Sequence, residues 1–189
     1  MNERTKTILD FWFIQTSQKE KFGHNKTFDK KIRDNFLEDY KKAIKNEYDY
    51  WHDNAEECLA LIILLDQFSR NLFRNNGNAF VMDKKVRQIS AKALIKGYHK
   101  QLTEDQIIFL FLPFMHSEEL SDQMYCVKLI NIHCQEHANY KNAIKYAQLH
   151  LNIIKKFKRF PYRNKVLQRQ STKEEEEYLN STYLDFFNI

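Results

Sequence analysis

The chain has 189 residues, 43% apolar and 29% charged, the balance of a folded protein rather than a disordered one. Three glycines and two prolines are too few for the turns of an all-β fold, or for the clustered glycines of a phosphate-cradling loop or dinucleotide fold. A net charge of +5 is mild and demands no acidic partner, and no apolar run approaches the ~18 residues needed to span a bilayer. Cys58, Cys126 and Cys134 form an odd set with no signal peptide ahead of them, which fits free thiols in a reducing cytoplasm. The length predicts one domain over residues 1–189, soluble and cytoplasmic.

From the N-terminus, Thr7–Ile14 (TILDFWFI) reads as a short buried helix. Gly23 breaks the chain. Phe28, Ile32, Phe36, Tyr40 and Ile44 then recur at i+4 and predict a long amphipathic helix with a charged outer face. Trp51 falls in the polar connection that follows. Cys58–Leu65 (CLALIILL) is unbroken apolar sequence inside a longer stretch free of Gly and Pro, so length favours a central buried helix continuing through Arg74. Asn75, Asn76, Gly77 and Asn78 make a loop, and Ala79–Lys96 a helix closed by Gly97. Thr103 with Gln106 fits a capping box for a helix that Pro113 ends or kinks. Ser117 is the expected N-cap of a helix running through His137, followed by a helix over Tyr140–Phe157. Thr172 with Glu175 suggests a last capping box, and Tyr178–Phe187 a short terminal helix. The sum is an all-α array of about eight helices with no tetratricopeptide consensus legible in its periodicity.

Four segments could carry chemistry. Asp66, Gln67, Arg70, Asn71 and Arg74 extend the most hydrophobic stretch, where polar groups must bond to one another or to a ligand; an internal salt-bridge network is the competing reading. His116 lies at a corner between Pro113 and a helix start, beside amides suited to an anion, with Glu118 two residues on. Plain capping is its alternative. Lys155–Arg169 (KKFKRFPYRNKVLQR) alternates basic and aromatic residues in the manner of RNA-binding segments, but Glu174–Glu177 offer neutralising partners nearby. RNA is therefore disfavoured. His133 and His137 sit at i, i+4, yet Glu136 is out of place for an HExxH zinc motif and a third ligand is missing, so no metal or other cofactor is assigned.

Taken in order, Ile8–Phe13 (ILDFWF), Leu64–Arg74 (LLDQFSRNLFR), Leu112–Glu118 (LPFMHSE) with Gln123, Tyr146–Asn164 (YAQLHLNIIKKFKRFPYRN), and Arg169, Ser171 and Thr172 resemble the DUF924 family over nearly the whole chain. That resemblance implies an all-helical, TPR-like fold and supplies no established activity. Ser69 stands where the family usually has proline, Lys158 and Gln168 where it has glycine, and Tyr162 where it commonly has histidine. The missing glycines are expected to alter the local backbone, and Tyr162 puts proton transfer at its position in doubt. The family's polar set otherwise persists, adding Gln123, His150, Arg159, Arg163, Asn164 and Arg169 to the candidates above.

The resulting expectation is one pocket in which Arg70, Arg159, Arg163 and Arg169 surround His116 and bind a small anion, a phosphate or carboxylate. In a hydrolase or transferase, His116 would be acid or base and Glu118 its orienting partner, with Ser117 a guess for nucleophile. Asp66, Gln67, Asn71, Arg74, Ser117, Gln123, His150 and Asn164 complete the expected ligand-binding set. The competing class is a non-enzymatic TPR-like module that binds a protein or peptide on a concave face.

Overall fold

The computed structural model describes residues 2–181, and every regular element among them is helical. Helix α1 (Glu3–Phe13) opens a turn ahead of its apolar run because the Asn2 side chain accepts the Thr5 N–H at 2.9 Å. A single-turn helix, α2 (Gln18–Phe22), follows on a capping box between Ser17 and Glu20. Helix α3 (Lys26–Ile44) buries Phe28, Ile32, Phe36 and Tyr40 as the spacing predicts, but Ile44, in its last position, emerges into solvent. Trp51 lies in the polar connection after α3, as expected, yet it is fully buried there in a 3-10 turn, its ring stacked 4.0 Å from Tyr48.

The centre of the fold is one rod made of α4 (Ala55–Ile62), a π-helical segment (Ile63–Phe68) and α5 (Ser69–Leu72). Ile62, Leu64, Leu65 and Phe68 are fully buried, as expected. Phe68 meets the rings of Phe11, Trp12 and Phe36 with centroids 5.9, 5.5 and 4.8 Å away, which ties α1 and α3 to the rod. Each such side chain contributes about 1.5–3 kcal/mol on leaving water, so the apolar run dictates that this rod is central.

Helix α6 (Asp83–Ile95) is shorter than expected, because Gly77–Phe80 forms a separate 3-10 turn; Gly97 ends it at φ 74°. Helix α7 (Glu104–Met115) opens with Gln106 accepting the Thr103 N–H at 3.0 Å. It does not stop at Pro113 but runs two residues further, with the proline leaving out one ladder bond, to the Phe109 carbonyl. Helix α8 (Leu120–His133) starts after Ser117 and ends before His137, so Ser117 is not its N-cap and the two histidines do not share a helix face. Instead His137 is buried in the turn beyond, 3.1 Å from Asp105. Helix α9 (Tyr140–Phe157) matches its expected bounds. Helix α10 (Lys173–Ser181) begins at the Thr172–Glu175 box; the rest of the expected terminal helix, 182–187, lies outside the described residues. Helices α6, α7, α8 and α9 pack on one another in chain order, and a satellite cluster of Ile153, Ile154 and Phe160 anchors the basic segment after α9.

The family's two glycine positions in that segment have an informative backbone. Lys158 and Gln168 adopt φ of 61° and 54°, the left-handed region that glycine enters freely. The turns keep a glycine-type geometry and the side chains tolerate it at a cost.

Candidate functional site

The rod and the α7–α8 corner meet at Asp66. Its carboxylate is fully buried and lies 2.9 Å from His116 Nδ1, while Gln67 Nε2 donates to its other oxygen at 2.6 Å. Arg70, one helical turn on, sits 3.3 Å from Asp66 Oδ1 and also donates to the Asp66 backbone carbonyl. Burial by itself would raise the Asp66 carboxyl, but Arg70 and His116 outweigh it and hold the group below the usual carboxylate range. Burial, helped by Arg70, pushes His116 below the ordinary imidazole value against the pull of Asp66. A neutral His116 then donates from Nδ1 to Asp66, and its Nε2, which bonds to no described residue, carries a lone pair.

His116 lines a cavity of about 380 Å³. Arg163 and Arg169 also line it, together with Asp83, Lys84 and Arg87 from α6. Arg163 is nearly fully buried, with its guanidinium 4.4 Å from the Phe80 ring and 4.6 Å from Phe160; it donates to the His116 carbonyl at 3.0 Å and to Asp83 at 3.3 Å. Asp83 accepts from Arg70 as well, at 3.1 and 3.3 Å. Arg70, His116 and Arg163 thus converge from three distant parts of the chain, with Asp66 and Asp83 as the joints.

Several expected members go elsewhere. His116 takes its carboxylate from Asp66, not Glu118; Glu118 instead accepts Arg169 at 2.8 and 2.9 Å and the Phe160 N–H at 2.9 Å. The Ser117 hydroxyl is pinned by Arg87 at 2.6 Å and Asp122 at 2.6 Å, and accepts the Glu119 N–H, so neither an idle amide nor a nucleophile aligned with His116 is found there. Arg159 turns away to Glu175, at 2.6 and 2.7 Å, and Asn164 joins the same carboxylate at 3.2 Å. This clamp and Glu118 pair two of the seven basic residues of the segment that resembled an RNA-binding strip, Arg159 and Arg169, while Arg163 pairs with Asp83 and Lys156 with Glu174. Gln123 is a buried brace whose amide donates to the carbonyls of Phe114, Met115 and Ser117. His150, pushed down to about 4 mainly by burial, packs edge-on to Phe160 and donates from Nδ1 to the Tyr146 carbonyl at 2.8 Å. Asn71 and Arg74 face the opposite side of the rod and hold Asp29 of α3. A step from Arg70 to Asn71 turns the helix by ~100°, enough to leave the first site.

Sequence reasoning missed Asp83, Arg87, Asp122 and Phe80. Asp83 had a weak signal as an acid in the first turn of a helix, indistinguishable there from ordinary dipole pairing. Among the described residues, no group of three His, Cys, Asp or Glu side chains is placed to hold a metal ion, and no helix is long and apolar enough to cross a membrane.

A family model described as "Bacterial protein of unknown function (DUF924)" matches residues 8–182. The solved structure of a protein of unknown function, ATU0120 from Agrobacterium tumefaciens, is 33% identical, with a TM-score of 0.85 over 93% of this chain and 96% of that one. No curated protein matches the chain.

Proposed function

We propose, for a chain that belongs to the DUF924 family of bacterial proteins of unknown function, that the cavity at His116 binds a small molecule bearing a carboxylate or phosphate and performs acid–base chemistry on it. The observation that carries this reading is the fully buried Asp66 carboxylate 2.9 Å from His116 Nδ1, on the wall of a cavity of about 380 Å³. A histidine held in one tautomer by a buried carboxylate, with its other nitrogen unbonded, is the arrangement a general base requires. In a hydrolytic step Nε2 takes a proton from water, the water oxygen adds to the electrophilic centre, and the proton passes to the leaving group. With Ser117 pinned, water is the nucleophile of choice.

The arginines hold the ligand less than their number suggests, because each is matched to a carboxylate: Arg70 and Arg163 to Asp83, Arg159 to Glu175, Arg169 to Glu118. Lys84, exposed on the rim and without an ion pair among the described residues, is the cation left for an anionic group, with Arg169 able to exchange Glu118 for it. Free thiols at all three cysteines suit a cytoplasmic setting. A thermal-shift panel of small carboxylates and phosphates tests the reading. Lys84→Ala should abolish the shift without moving the unliganded melt, and His116→Asn should keep the shift but remove turnover. No shift from any member of the panel overturns it. The protein-interaction reading has one observation in its favour, the exposed Tyr125 and Ile132 seven residues apart on α8 with Met124 beside them; it predicts that Tyr125→Ala and Ile132→Ala abolish partner capture and leave the cavity's ligand unaffected.

A further inference from the structure

The chain has seven histidines, all among the described residues. Five have a polar partner. His116 bonds to Asp66 and His150 to the Tyr146 carbonyl. His137 is held at both nitrogens, by Asp105 at 3.1 Å and by the Asn139 N–H at 2.9 Å. His24 lies 3.5 Å from Arg74, and His52 3.8 Å from Asp49. His99 and His133 meet no polar partner among the described residues, and these two meet each other. Their ring centres are 4.8 Å apart with the planes at 57°, tilted rather than stacked.

The pair joins distant elements. His99 sits in the 3-10 turn Tyr98–Lys100, which left-handed Gly97 sends off the end of α6. His133 is the last residue of α8, with the Phe111 ring of α7 5.9 Å from its own. His99 Nδ1 is buried and unpartnered, which costs stability unless something from outside bonds to it. Burial first, then His133 and Lys100, pushes His99 below the ordinary imidazole value, so near neutral pH it keeps a lone pair rather than a second proton. His133 is exposed and free to turn a nitrogen towards the same point. Two imidazoles on one tetrahedral ion, with metal–nitrogen bonds of ~2.0–2.1 Å, have ring centres roughly 5 Å apart. The observed 4.8 Å matches that spacing. The C-terminal end of α8 favours a cation through the helix dipole, while Lys100 is exposed to water that screens its charge.

We propose that His99 and His133 together bind one divalent transition-metal ion of the zinc kind, with water in its remaining positions. Imidazole is the ligand that zinc, copper and nickel share. Two protein ligands are fewer than the three of a catalytic zinc site or the four of a structural one, so the ion is exchangeable and accepts a further ligand from outside. Neither histidine lines the His116 cavity.

Calorimetric titration of the untagged protein with zinc chloride tests this. One ion per chain should bind, and His99→Ala and His133→Ala should each weaken it at least tenfold; His133 is exposed, so its loss leaves the core intact. His24→Ala, at a lone exposed histidine, and His116→Asn, in the cavity, should leave zinc binding unchanged. With copper(II) as the probe, the electron paramagnetic resonance spectrum should show two coupled ring nitrogens, falling to one in either single variant. Absence of zinc binding, or binding that survives both substitutions, overturns the assignment. Loss in one variant alone also overturns it, because a single surface imidazole then holds an adventitious ion only.

Discussion

Replacing Arg163 by alanine separates a guanidinium that holds the fold from one that waits for a ligand. The side chain is 4% exposed, sits between Phe80 and Phe160, and donates to the His116 carbonyl at 3.0 Å and to Asp83 at 3.3 Å. A hydrogen bond from a charged donor contributes about 1.5–3 kcal/mol, with the longer contact to Asp83 at or below the low end. Each ring face adds roughly 0.5–1 kcal/mol. Loss of one partner from a buried pair ordinarily costs about 3–5 kcal/mol, because it strands the other charge. Here Asp83 keeps Arg70 at 3.1 Å, so the stranded-charge part is small. The terms sum to about 3–6 kcal/mol, and even the lower figure lowers the melting temperature of a protein of this size by about 6–12 °C. Urea and thermal melts of the unliganded wild type and Arg163→Ala measure it. The double variant with Asp83→Asn should be less destabilised than the two single losses added together, since they share one contact. A change below about 0.5 kcal/mol would refute the structural role and return Arg163 to the set of ligand-seeking arginines.

Four further outcomes are expected. Leu65→Ala, at a fully buried position, should cost about 2–5 kcal/mol in a urea titration. Lys158→Gly and Gln168→Gly should each stabilise by about 0.5 kcal/mol in the same assay, because a left-handed L-residue costs about 1–2 kcal/mol and glycine returns about 0.5–1 of that as chain entropy; destabilisation would show that their side chains matter more than their backbone. Glu175 is held at about 2, mainly by Arg159, below its value in the unfolded chain; its stabilisation is present above the ordinary carboxylate range and is lost as pH falls from about 4.5 towards 2, so Glu175→Gln should flatten that limb of the stability–pH curve. His150, held down to about 4, takes up its proton more readily when unfolded; stability should fall as pH drops from about 6.5 to 4, and His150→Gln should remove part of that slope.

The sequence alone determined the elements that rest on short-range rules. An eight-residue apolar run alone fits a buried strand as well as a helix, but its place in a longer stretch free of Gly and Pro favours a central helix, and Cys58–Leu65 is helical and buried. Capping boxes at Thr103 and Thr172 and the left-handed stop at Gly97 are fixed by residues within four positions of one another, and they stand as read. The i+4 row from Phe28 to Tyr40 faces the core for the same reason. That Asp66, beside so apolar a run, had to be satisfied by polar partners was also legible. Which partners was not. Asp66 finds His116 fifty residues away and Arg163 finds Asp83 eighty away, distances over which no local periodicity carries information. Glu118 is two residues from His116 yet turns to Arg169, because the corner between α7 and α8 sends neighbouring side chains in opposite directions. Asn71 and Arg74 share a motif with Arg70, but the ~100° step to Asn71 and the end of α5 at Leu72, ahead of Arg74, send both to Asp29. Trp51 lies in a polar connection, and only the packing shows that it is fully buried, stacked on Tyr48 and joined to the core. Charge in a buried setting pairs with whatever opposite charge the packing brings within reach, and packing of distant helices is decided by the tertiary structure.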